Sequence, residues 1–333
     1  MNYNRPLFDV IKENITDGGL PDTFSLPKED DGDPNKIKWA DGALDGVTVY
    51  HMGRQKVSDE QMKIIADAFS YLPDHKKTMA GMRGLFDKIT PLCAIDAVQD
   101  HILDNTQTLP ADKVHSFAMD CLLGPDVNTV KLGMLIIEIF NEPDERVKDI
   151  IRTLGLSDEF TIFAIFNMMN WENGNREIFE LAKKVHGWGR IHCIERLEPE
   201  TEEIKEWLLA EGINNKVLHE YSALEVYNKA GIADLLKKDI TDEKLGQIAR
   251  VVSAMFSEGP VRGISALSPE DADSMIGDFL RQAEDHTPLS DICSLIHTIS
   301  EDERFDKFTD ICNTLLNSPR FRELTENAQR ESD

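Results

Sequence analysis

From Ser58 onward, apolar side chains recur at three- and four-residue intervals, as in Ile64, Ile65, Ala68 and Leu72. The stretches with this spacing are bounded by residues that start and stop helices. SDEQ (58–61) and SEDE (300–303) are capping boxes, in which a hydroxyl and the side chain three residues on satisfy orphan amides. Ser157 and Thr241 precede acidic first turns, and Thr90-Pro91 and Ser268-Pro269 place proline at a first helical position. Gly124-Pro125, Gly155, Gly187, Gly212, Gly231 and Gly259-Pro260 read as stops. The pattern predicts roughly twelve to fifteen helices, most of three or four turns, in an all-α chain.

Residues 1–57 read differently. A short helix is expected near residues 6–15, followed by a stretch rich in Gly, Asp and Pro. The only strand-like runs lie near residues 37–39 and 47–50, with Asp41-Gly42 and Asp45-Gly46 supplying turn chemistry. We therefore expect an N-terminal arm, partly irregular, with a small β-hairpin that docks through Trp39, Val47, Val49 and Tyr50. Asp31, Asp33 and Asn35 imitate the first ligands of a calcium loop, but Lys36 stands where the turn needs glycine and Gly42 where a bidentate Glu must close the cage. The loop is rejected. The organisation expected is the arm (1–57), a helical N-terminal part (58–125), helix-pair repeats (126–260) and a C-terminal helical cap (261–333).

The repeat is visible by sliding the chain. A shift of 57 residues superposes Gly155 on Gly212, Val147 on Ile204, Ile151 on Leu208, Met134 on Ile191 and Ile137 on Ile194. A shift of 58 superposes Phe160 on Leu218 and Phe163 on Tyr221. Two helix pairs recur as one unit. The string PDERVKDIIRTLG (143–155), with Asp144, Val147, Lys148, Ile150, Ile151, Leu154 and Gly155, resembles the second half of a short HEAT-like repeat. PETEEIKEWLLAEG (199–212) repeats it with Ile204, Lys205, Trp207, Leu208 and Gly212. Lysine replaces the family's arginine, bulky residues replace its alanines, and Glu211 its leucine. The resemblance covers residues 127–238. It implies an α-solenoid of paired helices, an architecture that mostly binds proteins and includes some enzymes.

Composition narrows the partners. Thirty-six basic against 61 acidic side chains leave a net charge of −25. Such a chain is repelled by phosphate backbones and anionic lipid, so neither nucleic acid nor membrane is expected. The basic doublets Lys76-Lys77, Lys183-Lys184 and Lys237-Lys238 read as solvated helix faces. The first residues carry no basic and apolar leader pattern, and the five cysteines are widely spaced, which points to the cytoplasm.

Chemistry concentrates in HGWGRIHCIERLEPE (186–200). A metal site there would use His186, His192 and Cys193. On a helix beginning at Arg190, however, Ile191, Ile194 and Leu197 define the buried stripe, and His192 falls about 160° away from it. No zinc spacing occurs, so neither metal nor cofactor is expected. Gly187 and Gly189 lack the rest of a phosphate loop and read as a helix stop and as slack before the next helix. Trp188 reads as a packing residue, and Arg190 as a buried guanidinium needing a carboxylate such as Glu138 or Glu195. His219, Ser222 and Glu225 share one helix face, which cannot form a triad. Among the cysteines only Cys193, beside His192, has a candidate activator. No catalytic residue is assigned. The leading reading is a protein-interaction or scaffold module of bacterial cytoplasmic type whose acidic surface takes a basic or amphipathic partner. The rival is an enzyme or small-ligand binder at residues 171–195. Trp171, Trp188, Arg190, His192 and Glu195 are the candidate surface in either case, and the oligomeric state is left open.

Overall fold

The computed structural model describes residues 5–27, 37–141, 143–259 and 261–321. Asp31, Asp33, Asn35 and Lys36, and the two ends of the expected arm and cap, lie outside the described residues. Helix makes up 68% of the structure, and among the described residues the only β-pairing is an isolated bridge between Thr16 and Gly19. No described helix is long and apolar enough to cross a membrane. The chain divides into two compact units, residues 1–197 and 198–333, a boundary inside the segment expected to hold helix-pair repeats (126–260).

The first unit holds α1 (Leu7–Glu13), α2 (Ala43–Val47), α3 (Asp59–Phe69), α4 (His75–Phe86), α5 (Pro91–Asp104), α6 (Ala111–Leu122), α7 (Val127–Ile137), α8 (Glu145–Gly155), α9 (Asp158–Met168), α10 (Gly174–Ala182) and α11 (Trp188–Arg196). Its centre is α7 and α9. Val130, Leu132, Met134 to Ile137 and Phe160, Phe163 and Ile165 are all essentially inaccessible, the signature of helices covered on every side. Asn167 ties the two together: its amide donates to the carbonyls of Met134 (3.0 Å) and Phe163 (2.9 Å). The caps at Ser58, Thr90 and Asp126 form as the side chains require.

The second unit holds α12 (Glu202–Glu211), α13 (Glu220–Lys229), α14 (Ile232–Leu235), α15 (Asp242–Phe256), α16 (Pro269–Asp285), α17 (Ser290–Glu301) and α18 (Thr309–Leu316). Its core helix is α15, where Leu245, Ile248, Val251, Val252 and Met255 are fully buried. Thr241 and Ser268 cap α15 and α16. The two glycines superposed by the repeat do the same work. A β-carbon at Gly155 would press on Ala164 of α9, and one at Gly212 on Val226 of α13, so each lets its helix close on the next.

Several expectations need correction. The hairpin does not form. Residues 43–47 are helical and Thr48–Met52 continue as a π-helical turn. Gly42 takes the left-handed conformation (φ 72°) to begin that helix rather than to turn a hairpin. Docking onto the body overrides the β-propensity of Val47, Val49 and Tyr50. SEDE caps nothing at Ser300, because α17 runs through it and its hydroxyl donates to the His297 carbonyl. Asp302 starts the next turn instead, accepting from the Arg304 amide. Helix α11 begins at Trp188 rather than Arg190, with Gly189 inside it. Ser157 precedes α9 without a side-chain cap, and its hydroxyl has no partner among the described residues.

Candidate functional site

The expected residues separate into three places, all in the first unit. Trp188, His192 and Glu195 lie at i, i+4 and i+7 on one face of α11, and residues 42–52 of the arm cover that face. A sequence helix with Ile191, Ile194 and Leu197 buried should leave His192 in solvent, yet His192 is 1% exposed. The helix is buried twice, by the helical body on its apolar stripe and by the arm on its opposite side.

The arm's inward side chains are small. Ala43, Asp45, Gly46 and Thr48 are buried, whereas Leu44, Val47, Val49 and Tyr50 are half-buried. Gly46 presses on the indole of Trp188 so closely that a β-carbon there would overlap the ring. Tyr50 stacks on the His192 ring (centroids 6.1 Å apart, planes 21°), tilts against Trp188, and donates its hydroxyl to Glu195 at 3.0 Å. Neither ring nitrogen of His192 has a hydrogen-bond partner among the described residues. Burial, helped by Arg196, drops the His192 pKa to about 4 and keeps the ring neutral.

Beneath the arm lies a buried ion triad that sequence reasoning missed. Lys131, on α7, donates to Asp45 Oδ2 at 2.6 Å and to Glu159 Oε1 at 2.5 Å. Its ammonium also sits 5.4 Å from the ring centre of Phe163. Glu159 reaches back to the arm by accepting from the Gly42 amide at 2.9 Å. Burial alone would lower the Lys131 pKa, but the two carboxylates outweigh it and raise it, so the ammonium stays charged. Burial pushes the Asp45 carboxyl up despite Lys131, with Glu159 adding to the rise. Asp158, next to Glu159, accepts from the Gly189 amide at 3.1 Å and so fixes the start of α11. The acidic first turn of α9 thus serves tertiary contacts. A lysine within the apolar run VKLGMLII was the one available signal for the triad.

Arg190 and Trp171 lie apart from this face. Arg190 is 5% exposed and its Nε donates to the Val185 carbonyl at 2.8 Å. Of the two carboxylates considered for it, Glu138 accepts from Gln99 and Glu195 from Tyr50 through one oxygen each. Trp171 is 5% exposed, with Lys148 and Arg152 over its ring at 5.3 and 5.5 Å. Arg152 is itself held by Glu177 through two parallel bonds of 2.9 and 2.7 Å. Cys193 is fully buried, and burial with Asp158 pushes its thiol up, which is the reverse of activation. Among the described residues no three His, Cys, Asp or Glu side chains come together as a metal cage.

Two grooves lie in the second unit. A groove of about 630 Å³ runs between the loop of residues 213–219, α15 and α17. Asn215 braces that loop by accepting from the amides of Val217 and Leu218, and the groove's walls carry Arg250 and Asp291, 3.6 Å apart. A second groove of about 460 Å³ lies along α18, lined by Ile311, Thr314, Leu315 and Ser318 at helical spacing, with Phe321 below. Glu284 and Asp310 stand at its rim. Arg320, also at the rim, is occupied by the carbonyls of Glu284 and His286. Residues 171–195 line neither groove. No family model, curated protein or solved structure matches this chain.

Proposed function

We propose that this protein is an interaction module that takes a basic amphipathic helix, and that the groove along α18 is where it does so. The observation that carries the reading is the groove lined by Ile311, Thr314 and Leu315 of α18 and by Ser318 beyond its end, with Leu315 buried at its floor and Ile311 41% exposed. Ile311 and Leu315, with Phe321, give it apolar lining for the anchor side chains of a helix laid in a groove. Glu284 and Asp310, whose carboxylates are not the ones Arg320 engages, suit lysines or arginines on that helix. The overall charge of −25 would speed the encounter with such a partner.

The test uses a fluorescent 18-residue Leu/Lys amphipathic peptide and an Ile311→Asp variant. Docking in the groove requires that Ile311→Asp weaken binding, although the variant adds a negative charge. Non-specific attraction to an acidic protein would leave binding unchanged or tighten it, and that result would refute the reading.

A further inference from the structure

We propose that residues 42–52 are a displaceable strap over a second interaction surface, formed by Lys131, Glu159, Trp188, His192 and Glu195, and that a partner helix repeating the strap's chemistry takes its place. This surface lies in the first unit and is independent of the α18 groove.

Three observations carry the inference. The first is the composition of the strap's buried face. A segment integral to a core normally buries large apolar side chains, as α7 and α9 do with Met134, Ile136, Phe160 and Phe163. The strap inserts Ala43, Asp45, Gly46 and Thr48. Its larger apolar residues, Leu44, Val47, Val49 and Tyr50, are only half-buried, so local opening costs less than unfolding the body.

The second is what holds it instead. Its contacts are addressed one by one: Asp45 to Lys131, the Gly42 amide to Glu159, the Gly46 backbone to the Trp188 face, and Tyr50 to His192 and Glu195. A buried ion pair adds little net stability over an apolar replacement, but it discriminates strongly against a wrong occupant. This is recognition chemistry, in which a carboxylate, a glycine beside it and an aromatic hydroxyl four residues further meet a cation, an indole and an imidazole–carboxylate pair.

The third is that the receiving surface is unsatisfied at its centre. His192 is 1% exposed with both ring nitrogens unpartnered among the described residues. The strap fits sterically and leaves hydrogen-bonding capacity unused. An occupant that brings a donor or acceptor to His192 gains what the strap forgoes. The strap's distal end is exposed over residues 51–56, where Arg54 holds Asp96 of α5 at 2.5 Å and Gly53 adopts a positive φ (73°) with free space around it. The partner is therefore a helical segment with an Asp-Gly pair followed four residues later by tyrosine, carrying a polar side chain toward His192.

The experiment uses the full chain. In hydrogen–deuterium exchange on the wild-type protein, amides of residues 43–50 should exchange about a hundredfold faster than those of α7 and α9. Equal protection would make the strap part of the core and overturn the proposal. Gly46→Leu should expel the strap while the body keeps its helical circular dichroism. A labelled synthetic peptide of residues 37–52 should then bind that variant saturably, bind wild type at least about tenfold more weakly because the site is filled, and lose binding when it carries Asp45→Lys. Global unfolding of Gly46→Leu, or no binding of the peptide by a folded variant, would refute the proposal. So would a dimer of the variant that excludes the peptide, which would give the surface to a second copy's strap.

Discussion

The indole of Trp188 lies directly against Gly46, 142 positions earlier in the chain, with no room for a β-carbon between them. Trp188 is 7% exposed and opens α11 where the strap, α9 and α11 meet. Trp188→Ala should therefore leave a large void and cost on the order of 3–5 kcal/mol. Urea denaturation checks this, and a loss below about 1 kcal/mol would mean that the indole does not pack as described.

The ion triad should respond to pairwise substitution. Lys131→Met leaves Asp45 and Glu159 as uncompensated carboxylates and should cost about 3–5 kcal/mol. Adding Asp45→Asn to Lys131→Met should recover a substantial part of the loss, because one stranded charge is removed. A double-mutant cycle with zero coupling energy would contradict the 2.6 Å contact between the two residues.

His192 gives a pH signature. Its folded pKa is about 4 against an ordinary 6.5, so between those values the unfolded chain binds a proton that the folded chain does not. Stability should fall as pH drops from about 6.5 towards 4, by up to about 3 kcal/mol from this residue. Above 6.5 it should be indifferent. Comparing wild type with His192→Phe at each pH isolates the effect from that of the carboxylates, and a difference independent of pH would show that the ring is not buried neutral.

His286, in the second unit, should behave in the opposite sense. Its Nδ1 and Nε2 each lie 2.7 Å from a carbonyl oxygen, of Gln282 and Ile240. Carbonyls only accept, so both contacts are hydrogen bonds only in the imidazolium form, which they favour. Burial works against the charge, but the two carbonyls, with Asp242 and Asp239, raise the pKa overall. Its stabilisation is complete below the unfolded pKa and is lost as pH rises through the folded one. Titration of the ring protons by NMR should place it above His192 and above 6.5.

The thiols offer a chemical check. Cys121 and Cys193 are fully buried with pKa values pushed up by burial, whereas Cys293 is partly accessible. A thiol reagent applied to the native protein should modify Cys293 well before either of the others, and rapid labelling of Cys193 would contradict the packing of α11.

Much of the helical architecture was legible in the sequence because its determinants are local. Ser58, Thr90, Thr241 and Ser268 cap the helices they precede, each hydroxyl reaching an amide three residues on. Apolar spacing marked the buried positions of α8, such as Val147, Ile151 and Leu154, whereas the close approaches at Gly155 and Gly212 emerge only in the folded chain. The all-helical class follows from such signals alone.

Tertiary structure decided the arm, and with it the candidate site. Asp45-Gly46 carries the local chemistry of a turn, and Val47, Val49 and Tyr50 that of a strand. Their helical form comes from Lys131, Glu159 and Trp188, residues 86 to 142 positions away in sequence, which no local window contains. Periodicity identifies one buried stripe per helix and cannot register a second surface laid over the opposite face, which is what buries His192. Ionic partners are likewise invisible to periodicity: a lysine in an apolar run announces that a carboxylate must come to it, and only the folded chain determines which one does.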